Sequence, residues 1–422
     1  MTGTSPRGGL TAFFAGRAGG RVSTVYAALG AFAVASSGLA PSAAAADAQS
    51  KQWYLNAMHA EGMWKISTGK GVKVAVLDTG VNPDTPSLKG QVLGDEVPDA
   101  VSYNATEDYD GHGTSMAELI AGTGAGGGMQ GLAPGTKIIP IRMLVNGVKN
   151  ETDKKKTPSA ADAIKAAADS DAQIINMSYG GRFIDPDEEK AIKYAHSKGK
   201  LMFASTGNDA ESKNFIDYPA AYPYVVGVAA ADDKGKVGEF SEHGNYVDLA
   251  APGLNVPTWC DARFRSYCDG RGTSMATAIA SASAALIWSA HPNWTANQVL
   301  RCLIDTASRD WPKNKPSNYL GYGLVRPRKV LENSDISPGS AATDPLSFEN
   351  GTGVTGVTAS PSAPASSSSQ APKNTSGGQT SASGSTSESS DNTTTWVALG
   401  AAGAALVIGG GAFAVIRSRR KA

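Results

Sequence analysis

Between Asp47 and Asn333 short apolar, β-branched runs alternate with stretches of helical periodicity, and that alternation limits the chain to very few architectures. Val72–Leu77, Ile138–Leu144, Ile174–Met177, Leu201–Ser205, Tyr224–Ala230 and Tyr246–Leu249 read as strands. Ala160–Ala168, Pro186–Ser197, Ser274–Ser289 and Thr295–Thr306 read as helices. Strands that are apolar throughout and separated by helices must be covered on both faces, which predicts an α/β fold with a mostly parallel sheet between two helical layers and right-handed crossovers. In such sheets the reactive groups gather at the carboxyl ends of the strands.

The sequence outside this segment cannot build a core. Residues 1–46 carry Arg7, Arg17 and Arg21, then an apolar stretch, then Ala43–Ala46, the pattern of a cleaved signal peptide. Residues 336–395, dominated from about Pro338 by Ser, Thr, Gly, Pro and Ala, read as a disordered linker with a typical reach of about 40 Å. Residues 396–416 are uncharged, and a helix of that length rising about 1.5 Å per residue spans the roughly 30 Å hydrocarbon core. Arg417, Arg419, Arg420 and Lys421 follow in the tail, residues 417–422, which predicts a single-pass plasma-membrane protein with a cytoplasmic C-terminus and everything before Trp396 outside. No Leu-Pro-x-Thr-Gly precedes the span, so a retained anchor is expected over a sorting signal. Lys plus Arg (38) balance Asp plus Glu (38), leaving no net positive field for a nucleic acid partner.

Export decides how the cysteines read. Cys260 and Cys268 lie close together in an oxidising compartment with loop-like sequence between them, and a local disulfide is expected. Cys302 is left over as a buried thiol in an amphipathic helix. No metal and no cofactor are expected, because no His or second Cys pair stands at zinc-like spacing, and no dedicated calcium loop is legible.

Three motifs carry chemistry. Asp78 follows the apolar run Val74-Ala75-Val76-Leu77 and precedes Thr79-Gly80, at the mouth of the sheet; alone it reads more commonly as a turn or capping aspartate. His112 lies in Asp110-Gly111-His112-Gly113-Thr114 ahead of a helical stretch; alone it reads as an ordinary turn histidine. Ser274, in Gly272-Thr273-Ser274-Met275-Ala276, stands where a Gly-rich loop enters a helix, a place that favours developing negative charge and equally suits an N-cap serine. Together the three differ in kind: a hydroxyl needs an imidazole to take its proton, and the imidazole needs a carboxylate to fix its tautomer.

In the order Asp, His, Ser, these motifs resemble the subtilases over roughly Trp53 to Arg328; chymotrypsin and the α/β-hydrolases use other orders. The resemblance implies a subtilisin-like three-layer peptidase domain over residues 71–335, with Asp78, His112 and Ser274 as a catalytic triad acting on protein or peptide substrates. It implies that Asn208, in Ser205-Thr206-Gly207-Asn208, supplies the oxyanion hole with the Ser274 N–H. It also implies that Ser178, Tyr179 and Gly180 pair with an extended peptide as an added strand. Two positions depart from the family pattern: Ala278 stands where Pro is common, and Glu118 where Gly is common.

A narrower resemblance, carried by Gln52-Trp53-Tyr54-Leu55, Trp64-Lys65 and Gly69-Lys70-Gly71-Val72 with the linker and terminal span, is to the mycosins. These are membrane-anchored subtilases, and the likeness implies type VII secretion machinery as a partner. Residues 47–70 are then an N-terminal arm packed on the catalytic domain, with Trp53, Ala57, Ala60 and Trp64 as a helical packing stripe. A different expectation from the same likeness is a structural subunit of a secretion complex, with proteolysis secondary. It would show as normal secretion by a Ser274→Ala strain and failure of a deletion strain.

Overall fold

The computed structural model describes residues 48–347. The expected signal segment, terminal span and basic tail, and the linker beyond residue 347, lie outside those residues. Six parallel strands form the central sheet: β1 (Lys73–Asp78), β2 (Lys137–Arg142), β3 (Ile174–Met177), β4 (Leu201–Ser205), β5 (Val225–Ala231) and β6 (Leu249–Pro252), in the order β2-β1-β3-β4-β5-β6. Five helices of ten residues or more surround it: α1 (His112–Ala121), α2 (Ala160–Asp169), α3 (Pro186–Ser197), α4 (Thr273–Ala290) and α5 (Ala296–Thr306).

Strand side chains alternate between two cores. Val74 and Val76, Ile138, Phe203 and Val226 enter one with α1, α4 and α5, while Ala75 and Leu77, Ile139, Met202 and Val225 enter the other with α2 and α3. This is a three-layer α/β fold around a parallel sheet. Local chemistry starts the helices where the sequence changes: Ser159 caps α2, Asp185 caps α3 with Pro186 in its first turn, and Thr295 with Gln298 makes a reciprocal capping box on α5. Among the described residues only α4 is long and apolar enough to cross a membrane, and 89% of its window is buried in the core.

Several boundaries differ from expectation, each for a local reason. β2 stops at Arg142 because the next two backbone amides, Met143 and Leu144, both donate to Asp78 O and turn the chain away. β5 starts at Val225 because Tyr224 is left-handed, with φ 73°. The run Tyr246–Leu249 starts in a turn, with Val247 N bonded to Gly244 O, and β6 begins only at Leu249. The sequence around the two close cysteines is a hairpin rather than a loop: β7 (Leu254–Trp259) pairs antiparallel with β8 (Tyr267–Arg271). Its mixed burial gave no periodicity to read.

Residues 336–347, grouped with the linker by composition, lie against the domain: Leu346 is buried, and Asn297 and Gln298 donate to Ala341 O and Gly339 O. At the other end, the 53–64 segment is two short helices, Trp53–Ala57 and Ala60–Trp64, broken by left-handed His59 with φ 58°. The break rotates the stripe, so Ala57 is exposed while Tyr54, Ala60 and Met63 are buried. The two indoles still anchor the segment, Trp53 Nε1 to Leu254 O at 3.0 Å and Trp64 Nε1 to Leu132 O at 2.8 Å.

Candidate active site

β1 delivers Asp78 to its carboxyl end, fully buried. Its Oδ1 accepts the Thr79 N–H at 2.7 Å and lies 2.7 Å from His112 Nδ1. A carboxylate on Nδ1 holds the neutral ring's proton there and leaves Nε2 as the acceptor. His112 is the first residue of α1, and both neighbouring glycines are required by geometry. Gly111 has φ 99°, and a Cβ on Gly113 would stand 2.2 Å from Gly80 O.

Asp108, a residue the motifs did not single out, holds this arrangement together. Its Oδ1 accepts from Thr79 Oγ1 at 2.9 Å and Gly111 N at 2.8 Å, and its Oδ2 accepts from Thr114 N at 2.9 Å and Thr114 Oγ1 at 2.6 Å. Thr79 Oγ1 in turn accepts the Gly113 N–H at 2.9 Å. One buried carboxylate thereby ties the end of β1 to the first turn of α1. Its sequence signal was an Asp four residues before a Gly-flanked His, which reads as a turn residue until the fold closes. Burial works against the imidazolium, but Asp78, with Asp110 and Asp108 behind it, outweighs burial and lifts His112 from 6.5 to about 9.

Ser274 is the second residue of α4, which packs across α1. Its N–H belongs to the first turn, where amides have no intrahelical acceptor. The hydroxyl donates to Ser178 O at 3.2 Å, and among the described residues no hydrogen bond joins it to His112. The carboxylate–imidazole contact is therefore closed, while the serine is turned toward the end of β3. Asn208 is exposed beside it, its Oδ1 accepting from Thr273 N at 2.9 Å. That bond orients the amide, since the oxygen is occupied and Nδ2 is the end left to donate.

The segment after β3 divides by role. Ser178 is buried, bridging Asn176 Nδ2 at 2.9 Å and Ser274 O at 3.1 Å, so its hydroxyl is part of the scaffold under α4. Tyr179 is half-buried and donates to Glu188 Oε1 at 2.9 Å. Gly180 is exposed, and its neighbour Gly181 pairs with Tyr218.

Glu118, the departure on α1, is fully buried behind His112. Ser87 Oγ donates to its Oε1 at 2.7 Å and Tyr267 OH to its Oε2 at 2.9 Å. Tyr267 stacks on Trp259 at 3.9 Å, and Trp259 N donates to Ser115 Oγ at 2.9 Å, so the β7–β8 hairpin is fastened to α1 at two points. The hairpin carries Cys260 and Cys268, whose sulfurs are joined with Cα atoms 5.1 Å apart; Cys302 is a free buried thiol on α5. Among the described residues no cluster of three or more His, Cys, Asp or Glu could hold a metal ion.

Burial drives Glu118 up to about 7, against hydrogen bonds that favour its ionised form. A carboxyl that binds its proton more tightly folded than unfolded stabilises the fold fully below about pH 4.5. That contribution is lost as pH rises through about 7. Glu118→Gln keeps the shape and removes the titration. Its thermal unfolding midpoint should gain on the parent's between pH 5 and pH 8, by an equivalent on the order of 3 kcal/mol. A gap that stays constant over that range would contradict the assignment.

A profile of the Subtilase family matches residues 69–323. Subtilisin BL of Lederbergia lenta is 32% identical over 283 residues, 66% of this chain and 97% of the relative. The minor extracellular protease Epr of Bacillus subtilis (strain 168) is 32% identical over 285 residues, 65% of this chain, and the chain spans only 41% of that relative's length. Among solved structures, the MycP3 protease from the type VII (ESX-3) secretion system superposes with a TM-score of 0.57 at 30% identity, covering 71% of this chain and 90% of that one.

Proposed function

From the chain's place as a member of the subtilase family of serine proteases, we propose that Ser274, His112 and Asp78 are its catalytic triad and hydrolyse peptide bonds through an acyl-enzyme. The observation that carries this reading is the 2.7 Å contact of a fully buried Asp78 with His112 Nδ1, together with a serine at the N-terminus of α4, the helix packed across α1. A turn about Cα–Cβ moves Ser274 Oγ from Ser178 O to His112 Nε2, which takes its proton as the oxygen attacks the carbonyl. Asn208 Nδ2 and the Ser274 N–H receive the charge that develops on the carbonyl oxygen. His112 then returns the proton to the leaving amine, and a water repeats the sequence to release the acyl group. Through all of this Asp78 holds the Nδ1 proton in its hydrogen bond and orients the ring.

The same reading places the domain outside the cell. The N-terminal signal pattern, the cysteine pair and the uncharged span with its basic tail support export, a disulfide and a membrane anchor. The likeness to MycP3 supports association with type VII secretion. A membrane-impermeant fluorophosphonate tests chemistry and sidedness together: intact cells should yield a labelled band that Ser274→Ala removes. Labelling only after lysis would overturn the topology, and none in either sample would overturn the hydrolase.

A further inference from the structure

Two carboxylates lie just behind the candidate site and take no part in the triad. A Cβ on Gly207 would fall 1.8 Å from Glu242 Oε2 and 2.7 Å from Asp217 Oδ2, and a Cβ on Gly180 would fall 2.5 Å from Asp217 Oδ2. Both acids are therefore pressed against bare glycine backbone, at the carboxyl ends of β3 and β4. Glu242 is 1% exposed; its Oε1 accepts the Phe215 N–H at 3.2 Å, and its Oε2 has no hydrogen-bond partner among the described residues. The nearby cation, Arg182, is engaged elsewhere, donating to Asp209 and stacking on Phe215 at 3.9 Å. Asp217 is held in place by the paired backbone of Gly181 and Tyr218, bonded both ways at 2.8 Å.

The location gives this pair its meaning. Gly180 belongs to the segment assigned to the peptide main chain, and Gly207 precedes Asn208, assigned to the oxygen of the attacked carbonyl. The side chain on the acid side of the scissile bond must enter between those two segments. We propose that Asp217 and Glu242 receive that side chain and select lysine or arginine there, an inference that rests on the protease reading above. An ammonium or guanidinium brings N–H donors and positive charge to an oxygen that has no partner. An apolar side chain leaves the buried Glu242 and the half-buried Asp217 without a counter-ion, and an acidic one adds further negative charge beside them. Burial first, then the neighbouring Asp217, pushes Glu242 up to about 7, the condition of an acid that lacks its counter-ion. The glycines are part of the device, because any larger residue at 180 or 207 would drive the carboxylates out of the gap.

The test is a peptide series, cleaved by the purified full chain, that differs only in the residue before the scissile bond: Lys, Arg, Leu, Ala or Glu. The expected kcat/KM for Lys and Arg exceeds that for Leu by roughly 100-fold or more. In Asp217→Asn/Glu242→Gln, which keeps side-chain shape, the Arg-to-Leu ratio should fall toward one. Protection of Ser274 from fluorophosphonate by peptides ending in argininal or leucinal reads the same preference without turnover. Leu or Ala preferred by the parent, or an Arg-to-Leu ratio unchanged in the double variant, would overturn the inference and leave the protease standing. Cleavage of no peptide together with no labelling of Ser274 would remove both.

Discussion

Ser274→Ala should abolish peptide hydrolysis, lowering kcat by about 10⁶-fold by analogy with subtilisin, while the fold stays intact. Ser274 Oγ makes one described hydrogen bond, a buried one to Ser178 O at 3.2 Å. Removing it costs α4 one exchangeable contact and leaves in place the other ties to the end of β3, Ser178 Oγ to Ser274 O at 3.1 Å and Ser281 Oγ to Asn176 Oδ1 at 3.0 Å. The expected result is a loss of turnover with unchanged thermal unfolding. If the three residues form the proposed triad they act as a unit, and adding His112→Ala to Ser274→Ala should cost almost nothing further. Two losses that multiplied would mean that the residues act separately, and the proposed proton transfer would fail.

The second large effect is on pH. In its proposed role as general base His112 must be neutral, so kcat/KM should rise with pH as the imidazolium loses its proton. Burial would put that rise below 6.5, but Asp78, helped by Asp110 and Asp108, raises His112 to about 9, so the acidic limb should lie above 6.5 and approach 9. Asp78→Asn removes the principal charge. The limb should move to lower pH, and the maximum rate should drop by about 10⁴-fold as the ring loses its fixed tautomer. The pH–rate profiles of both proteins measure this directly, and a limb that did not move would detach Asp78 from the imidazole.

These effects depend on residues that were unequally visible in the sequence. Asp78, His112 and Ser274 each had a bland explanation alone, and only their order and flanking glycines made a pattern. Asp108 shows the limit: it joins Thr79, Gly111 and Thr114, yet nothing in its own neighbourhood distinguishes it from a turn aspartate. Glu118 stood out as a departure on a helix, but its partner Tyr267 lies 149 residues away on a hairpin whose strands had no readable period. Asp217 and Glu242 left no trace at all, being ordinary acids in loop sequence until β3 and β4 come together.

What the sequence determined by itself is what depends on short range: β3, β4 and α3 fall where apolar period and capping residues put them, because backbone geometry repeats every two or 3.6 residues. The tertiary structure alone decided which distant groups meet. It set the 2.7 Å contact of His112 with Asp78, the turn of Ser274 toward Ser178, and the unpaired oxygen of Glu242 against Gly207. Such contacts follow from how parallel strands are registered and helices packed across them. That is a property of the closed chain, which no window of neighbouring residues contains.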